Sequence, residues 1–126
     1  MKFYVAGKWQ DRKLVQQVQK ELLARGNELT VDWTNHVNPK NDSVLQEWAL
    51  RDIEGAALCD TYIGVFINDH NYTGALVEMG VALGMGNRVW VIGNAVNSCI
   101  FIHHPLVTKF PDVETMLKIL DLMPKE

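Results

Sequence analysis

The run Tyr62-Ile63-Gly64-Val65-Phe66-Ile67 is apolar throughout apart from one phenol, and it is bounded by Asp60 before it and Asn68-Asp69 after it. Alternate side chains of a strand point to opposite faces, so a continuous apolar run between turn residues belongs to a strand covered on both faces, as in a parallel sheet. Upstream, Lys2-Phe3-Tyr4-Val5-Ala6 is a second β-type run, stopped by Gly7. Residues 11–25 then place Leu14, Val15, Val18, Leu22 and Leu23 at helical spacing, and Gly26-Asn27 ends that helix. Residues 28–33 read as a strand, and the polar segment 35–42, with Pro39, as a loop. Residues 43–59 read as a helix with Ser43 as N-cap and Leu45, Trp48, Ala49, Ile53, Ala56 and Ala57 on its buried face. Downstream of the central run, residues 68–72 form an exit loop, 74–86 a helix, and Arg88-Val89-Trp90-Val91-Ile92 another buried strand. Ile100-Phe101-Ile102 is expected as a short strand, residues 103–108 as a loop around Pro105, and 112–122 as a closing helix.

Strands alternating with helices imply right-handed crossovers and an α/β fold: a doubly wound, flavodoxin- or Rossmann-like, mainly parallel sheet of four to five strands flanked by helices. At 126 residues the chain is expected to form one domain over 1–126. Ligands of such sheets bind beyond the carboxyl ends of the strands, which here means residues 7–12, 35–42, 68–73 and 93–98.

One residue in this frame is out of place. Glu78 is the only charge between Thr73 and Asn87, in a helix whose remaining side chains are apolar almost all round, and such a helix is normally buried on more than one side. A carboxylate there must find hydrogen bonds or raise its pKa. Residues 74–86 place it in the first helical turn, at the mouth of the expected site, where the helix dipole would hold it ionised.

With a net charge of −3 and 21% charged residues, the chain shows no basic stripe and is not expected to bind a nucleic-acid polymer. Its apolar runs fall short of the ~20 residues a membrane span needs, and Met1-Lys2-Phe3 leads straight into a strand, so neither a span nor a signal peptide is expected. Cys59 and Cys99 lie far apart without CxxC spacing, which suits reduced thiols and a cytoplasmic location. His36, His70, His103 and His104 lack metal-ligand spacing, so no metal site is expected. No GxGxxG follows the first strand, which argues against a flavin or NAD protein, and no cofactor is expected.

Three segments together resemble the nucleoside 2-deoxyribosyltransferase family and the related 2′-deoxynucleoside 5′-monophosphate N-glycosidases. They are Phe3-Tyr4-Val5-Ala6-Gly7-Lys8-Trp9, then Arg51-Asp52-Ile53-Glu54-Gly55-Ala56 leading to Cys59-Asp60, and Gly74-Ala75-Leu76-Val77-Glu78-Met79-Gly80. The resemblance implies cleavage of the N-glycosidic bond of 2′-deoxynucleosides or their 5′-monophosphates through a covalent glycosyl-glutamate, the sugar passing to another base or to water. It implies Glu78 as nucleophile, Tyr4 as its hydrogen-bond partner and Asp52 as proton donor to the leaving base. Trp9 matches the base-stacking aromatic of the first loop. Gly7 and Gly74 either turn the chain or, as glycines before a helix, let a ligand approach the backbone. Six residues before the nucleophile, nucleoside-using members often carry aspartate and nucleotide-using members serine, whereas this chain has Tyr72, with Asp69 nearby as a substitute. Residues 94–98, where the family takes a contact from a neighbouring subunit, match neither subgroup. A homodimer or higher homo-oligomer is implied by the same resemblance. The plainer readings are a helix-capping acid for Glu78, a surface salt-bridge face for Asp52 beside Arg51 and Glu54, and a core aromatic for Tyr4. The alternative function is a non-catalytic nucleoside- or nucleotide-binding module on the same fold.

Overall fold

A computed structural model of the chain describes residues 1–125, so the last residue of the domain expected over 1–126 lies outside the described residues. Its strands are β1 (Lys2–Ala6), β2 (Glu28–Leu29), β3 (Thr61–Val65), β4 (Arg88–Ile92) and β5 (Val107–Phe110). Its α-helices are α1 (Arg12–Ala24), α2 (Asp42–Leu58), α3 (Thr73–Gly84) and α4 (Val113–Leu122), with single 3-10 turns at Trp9–Asp11, Trp33–Asn35 and Ile100–His103. All strand pairs are parallel, in the order β2-β1-β3-β4-β5. The chain steps toward β2 after β1 and the opposite way thereafter. Right-handed crossovers therefore put α1 on one face of the sheet and α2 and α3 on the other. α4 returns to the α1 face, where the two helices flank a groove of about 630 Å3. The strand order reverses between β1 and β3, and that switch point is where ligands of doubly wound sheets bind.

β3, and β1 beyond the exposed Lys2, are buried on both faces, as their mainly apolar composition requires. Four local expectations are corrected. The second strand, expected over 28–33, pairs only through Leu29, because the Asp32 carboxylate accepts from Thr34 N and Oγ and turns the chain into the Trp33–Asn35 turn. α2 starts one residue earlier than expected and is capped by Asn41, which accepts from Val44 N at 3.1 Å, in place of Ser43. Ile100-Phe101-Ile102 is a 3-10 turn and not a strand: only Ile102 is buried, while Ile100 and Phe101 face outward. The fifth strand lies instead at Val107–Phe110, partly inside the expected loop, with Thr108 and Lys109 exposed in the polar pattern of an edge strand.

The fourth correction concerns the α2–α3 layer. α2 buries only Gly55 and Ala56, leaving Leu45, Leu50, Ile53 and Leu58 exposed. α3 is not buried on several sides: its inner stripe is Ala75, Met79 and Ala82, while Val77 is 56% exposed and Met85 also faces out.

β4 ends at Gly93, whose φ is +92°. A Cβ there would lie 2.5 Å from Phe66 O and 2.8 Å from Ile67 Cα. Gly93→Ala is expected to lower unfolding stability by roughly 3 kcal/mol, from the left-handed conformation and the backbone collision together, as read from the urea midpoint.

Candidate active site

Tyr4 and Ala6 of β1 point to the α2–α3 side, and the β1–β3 register sets Tyr4 beside Tyr62, their rings 6.1 Å apart and 16° from parallel. Tyr62 donates its hydroxyl to Ala75 O at 2.6 Å, fixing the start of α3 over β3. Tyr4 donates to Glu78 Oε2 at 2.5 Å. Glu78 sits in the second turn of α3, because the helix begins at Thr73, and not in the first turn as the sequence suggested. It continues the inner stripe of Ala75, Met79 and Ala82, so its carboxylate points where an apolar side chain would ordinarily go.

The electrostatics differ accordingly from expectation. The helix terminus does not hold Glu78 below the usual range; burial pushes its pKa up to about 7, against the lowering effect of the Tyr4 hydrogen bond and with a further upward push from the Asp52 charge. Tyr4's phenol is driven far above its ordinary range, first by burial and then by the charges of Glu78 and Asp52, so it remains a donor. Asp52 reaches the same region from α2, its side chain 22% exposed. Its Oδ1 is buried without a hydrogen-bond partner, and its Oδ2 lies 3.7 Å from His36 Nδ1. Burial raises the Asp52 pKa and the His36 charge lowers it, for a net rise. His36 itself is stacked flat on Trp48, ring centres 4.4 Å apart. Metal-ligand spacing alone passes over this histidine; its position in the loop entering α2, at the carboxyl edge of the sheet, is the signal in the sequence that marks it.

The remaining candidates divide into surface residues and packing residues. Trp9 is partly exposed, with the Arg12 guanidinium 4.4 Å above its ring, and Asp69 and Gly74 are exposed. A Cβ on Gly74 would meet nothing within 4 Å, so that approach is open. On Gly7 it would strike Val15 Cγ2 at 2.8 Å, so the glycine is required by the packing of α1 on β1. Tyr72 is 3% exposed: its hydroxyl donates to Asn68 O at 2.6 Å, its ring packs edge-on against Phe66, and burial pushes its pKa up to about 12. Its polar atom is thus engaged by its own loop. That loop is tied to the one after β1, as Asn68 Nδ2 donates to Asp11 Oδ1 at 3.0 Å, His70 Nε2 lies 3.2 Å from Asp11 Oδ2, and Lys8 Nζ donates to Asn71 O at 2.6 Å.

The raised pKa of Glu78 makes stability depend on pH. Its folded pKa of about 7 exceeds the unfolded 4.5, so the folded state holds the proton more tightly, and stability falls as pH rises from 4.5 through 7. Glu78→Gln, which removes that titration, is expected to have little effect at pH 4 and to stabilise the protein above pH 7. The gain relative to the native chain approaches roughly 3 kcal/mol, as measured by urea unfolding across the pH range.

No protein-family model matches the chain, and no curated protein sequence does. Among solved structures, a 2-deoxyribosyltransferase from the psychrotolerant bacterium Bacillus psychrosaccharolyticus is similar with a TM-score of 0.76 and 16% identity, over 92% of this chain and 90% of that one. The CMP N-glycosidase BcmB of Clostridium botulinum is similar with a TM-score of 0.65 and 17% identity, over 98% of this chain and all of that one. The chain therefore shares the doubly wound parallel fold of a deoxyribosyltransferase and an N-glycosidase, over nearly its whole length.

Proposed function

We propose that the protein cleaves the N-glycosidic bond of 2′-deoxynucleosides or their 5′-monophosphates. The observation that carries this reading is the partly buried Glu78 carboxylate, held by the Tyr4 hydroxyl, with a second half-buried carboxyl at Asp52 near enough to influence it. Ionised Glu78 attacks the anomeric carbon while the carbon–nitrogen bond breaks and its electron pair leaves with the base. Asp52, whose pKa burial raises, gives its proton to the departing base nitrogen. The products of this step are a free base and a glycosyl ester on Glu78. Water or an acceptor base then attacks the same carbon, Asp52 takes the proton, and the ester bond breaks to restore Glu78. Tyr4 donates to the carboxylate throughout and orients the attacking oxygen. Trp9 supplies a face for the base, and the exposed Asp69 and the open approach at Gly74 are available to the rest of the substrate. Likeness to one structure of a deoxyribosyltransferase and one of a CMP N-glycosidase supports glycosidic chemistry, and the acceptor decides between transfer and hydrolysis.

Glu78→Ala and Glu78→Gln are expected to cut base release by about 10³-fold or more with the fold intact, and Asp52→Asn by about 10²- to 10⁴-fold. The measurement is chromatography of products from deoxynucleosides and deoxynucleotides, with and without a free acceptor base. Full base release by Glu78→Ala would sink the reading. Saturable binding with no release by the native chain would instead favour the non-catalytic module.

We also propose that the protein works as a homodimer or larger assembly. Leu50, Ile53, Val77, Met85 and Phe101 are exposed on the α2, α3 and β4–β5 connections, and right-handed crossovers put all of these on one face of the sheet. Light scattering is expected to give at least twice the chain mass, and Ile53→Asp combined with Val77→Asp to return it to a monomer.

A further inference from the structure

Gly55 lies one turn beyond Asp52 on α2, so the two occupy neighbouring positions on one helix face. It is buried, and a Cβ built on it would lie 3.0 Å from Tyr4 Cδ2, 3.1 Å from Tyr4 Cε2 and 2.8 Å from Val31 Cγ2. The helix is also fastened at this point, since Thr30 Oγ donates to Gly55 O at 2.8 Å. α2 therefore rests directly on the Tyr4 ring, and a side chain at 55 has no space unless the ring, Val31 or the helix moves. Gly55 is not placed there by backbone conformation: it sits mid-helix without a positive φ, where glycine costs stability relative to alanine. Its missing Cβ is what the site uses.

We infer that Gly55 is a positioning residue for the Tyr4–Glu78 pair: the bare helix surface at 55 sets where the Tyr4 ring lies, and hence where its hydroxyl meets Glu78 and how near Asp52 stands. The role of the pair rests on the function proposed above, but the contact between Gly55 and Tyr4 does not. An added methyl group presses on Tyr4 Cδ2 and Cε2, so the ring gives by a few tenths of an ångström and its hydroxyl leaves its present position on Glu78, weakening the hydrogen bond that favours the ionised form.

The test is the protonation midpoint of the Glu78 carboxyl, followed by carbon-13 NMR, which requires no turnover. Tyr4→Phe is expected to raise that midpoint by about one pH unit or more, the loss of a hydrogen bond to a charged group. Gly55→Ala is expected to raise it by a measurable part of that shift, and the double variant no further than Tyr4→Phe alone, because the methyl group acts through the hydroxyl already removed. An unchanged midpoint in folded Gly55→Ala, or additive shifts in the double variant, would overturn the assignment. Should Gly55→Ala not fold, the comparison is repeated in Val31→Ala, where the 2.8 Å collision is gone and the one with Tyr4 remains. Failure of that variant to fold as well, with Tyr4→Phe folded, would make Gly55 a packing residue only and equally overturn it. Full activity in Glu78→Ala would defeat the proposed function while leaving these titrations readable.

Discussion

The hydrogen bond from Tyr4 to Glu78 joins a central strand of the sheet to a helix on its face, at a position where an apolar side chain would cost nothing to bury. Much of the local architecture follows from accommodating it. The phenol must come from a strand buried on both sides, so that it is held from below and stays protonated. α3 must lie close over β3, which the Tyr62–Ala75 bond secures. α2 must approach β1 closely enough to bring Asp52 up beside the pair, which the bare surface of Gly55 permits. The cost appears in the pKa of Glu78: burial outweighs the phenol's support, and the group titrates near neutrality.

That balance bears on the chemistry proposed for the site. A carboxylate well below neutrality would be fully ionised but weakly basic, and a buried one with no donor would be neutral and inert. One donor and partial burial leave a group that is ionised for a substantial fraction of molecules near pH 7, and less stabilised by solvent than an exposed glutamate. Asp52 is shifted the same way by burial, and His36 moderates it from the opposite side. The Asp52 charge further disfavours ionisation of Glu78, so the protonation of the two carboxyls is linked.

The parallel sheet was legible because it is written in local composition. Tyr62–Phe66 and Val89–Ile92 are apolar runs buried on both faces, and glycine and asparagine follow α1 and α3 where they end. Where a tertiary contact decides, the sequence was a poor guide. Nothing in Val107-Thr108-Lys109-Phe110 demands a strand until β4 offers its free edge, and Ile100-Phe101 reads as buried until the turn leaves it facing out. The α2 and α3 faces look like core for the same reason: hydrophobic spacing marks an apolar face but does not say that this chain covers it. In the site, Glu78 could be singled out from its isolation in an apolar helix. The sense of its pKa shift could not, since that depends on how deeply α3 is seated.

Tyr72 shows how the same limit bears on substrate choice. It occupies the position where the resembled family displays an aspartate or a serine, yet its hydroxyl is turned onto Asn68 O and its ring fills the space against Phe66 and His70. With Asp11 drawing in Asn68 and His70, and Lys8 holding Asn71, the loops after β1 and β3 form one cross-linked wall at the switch point. A wall already fixed by its own hydrogen bonds spends no further ordering entropy when a ligand arrives, but it has few polar groups left to offer one. Under the proposed function, discrimination among bases therefore falls to groups outside that wall. On that reading, stacking on the partly exposed Trp9 would accept any base, whereas the unpartnered Oδ1 of Asp52 would tell a donor from an acceptor.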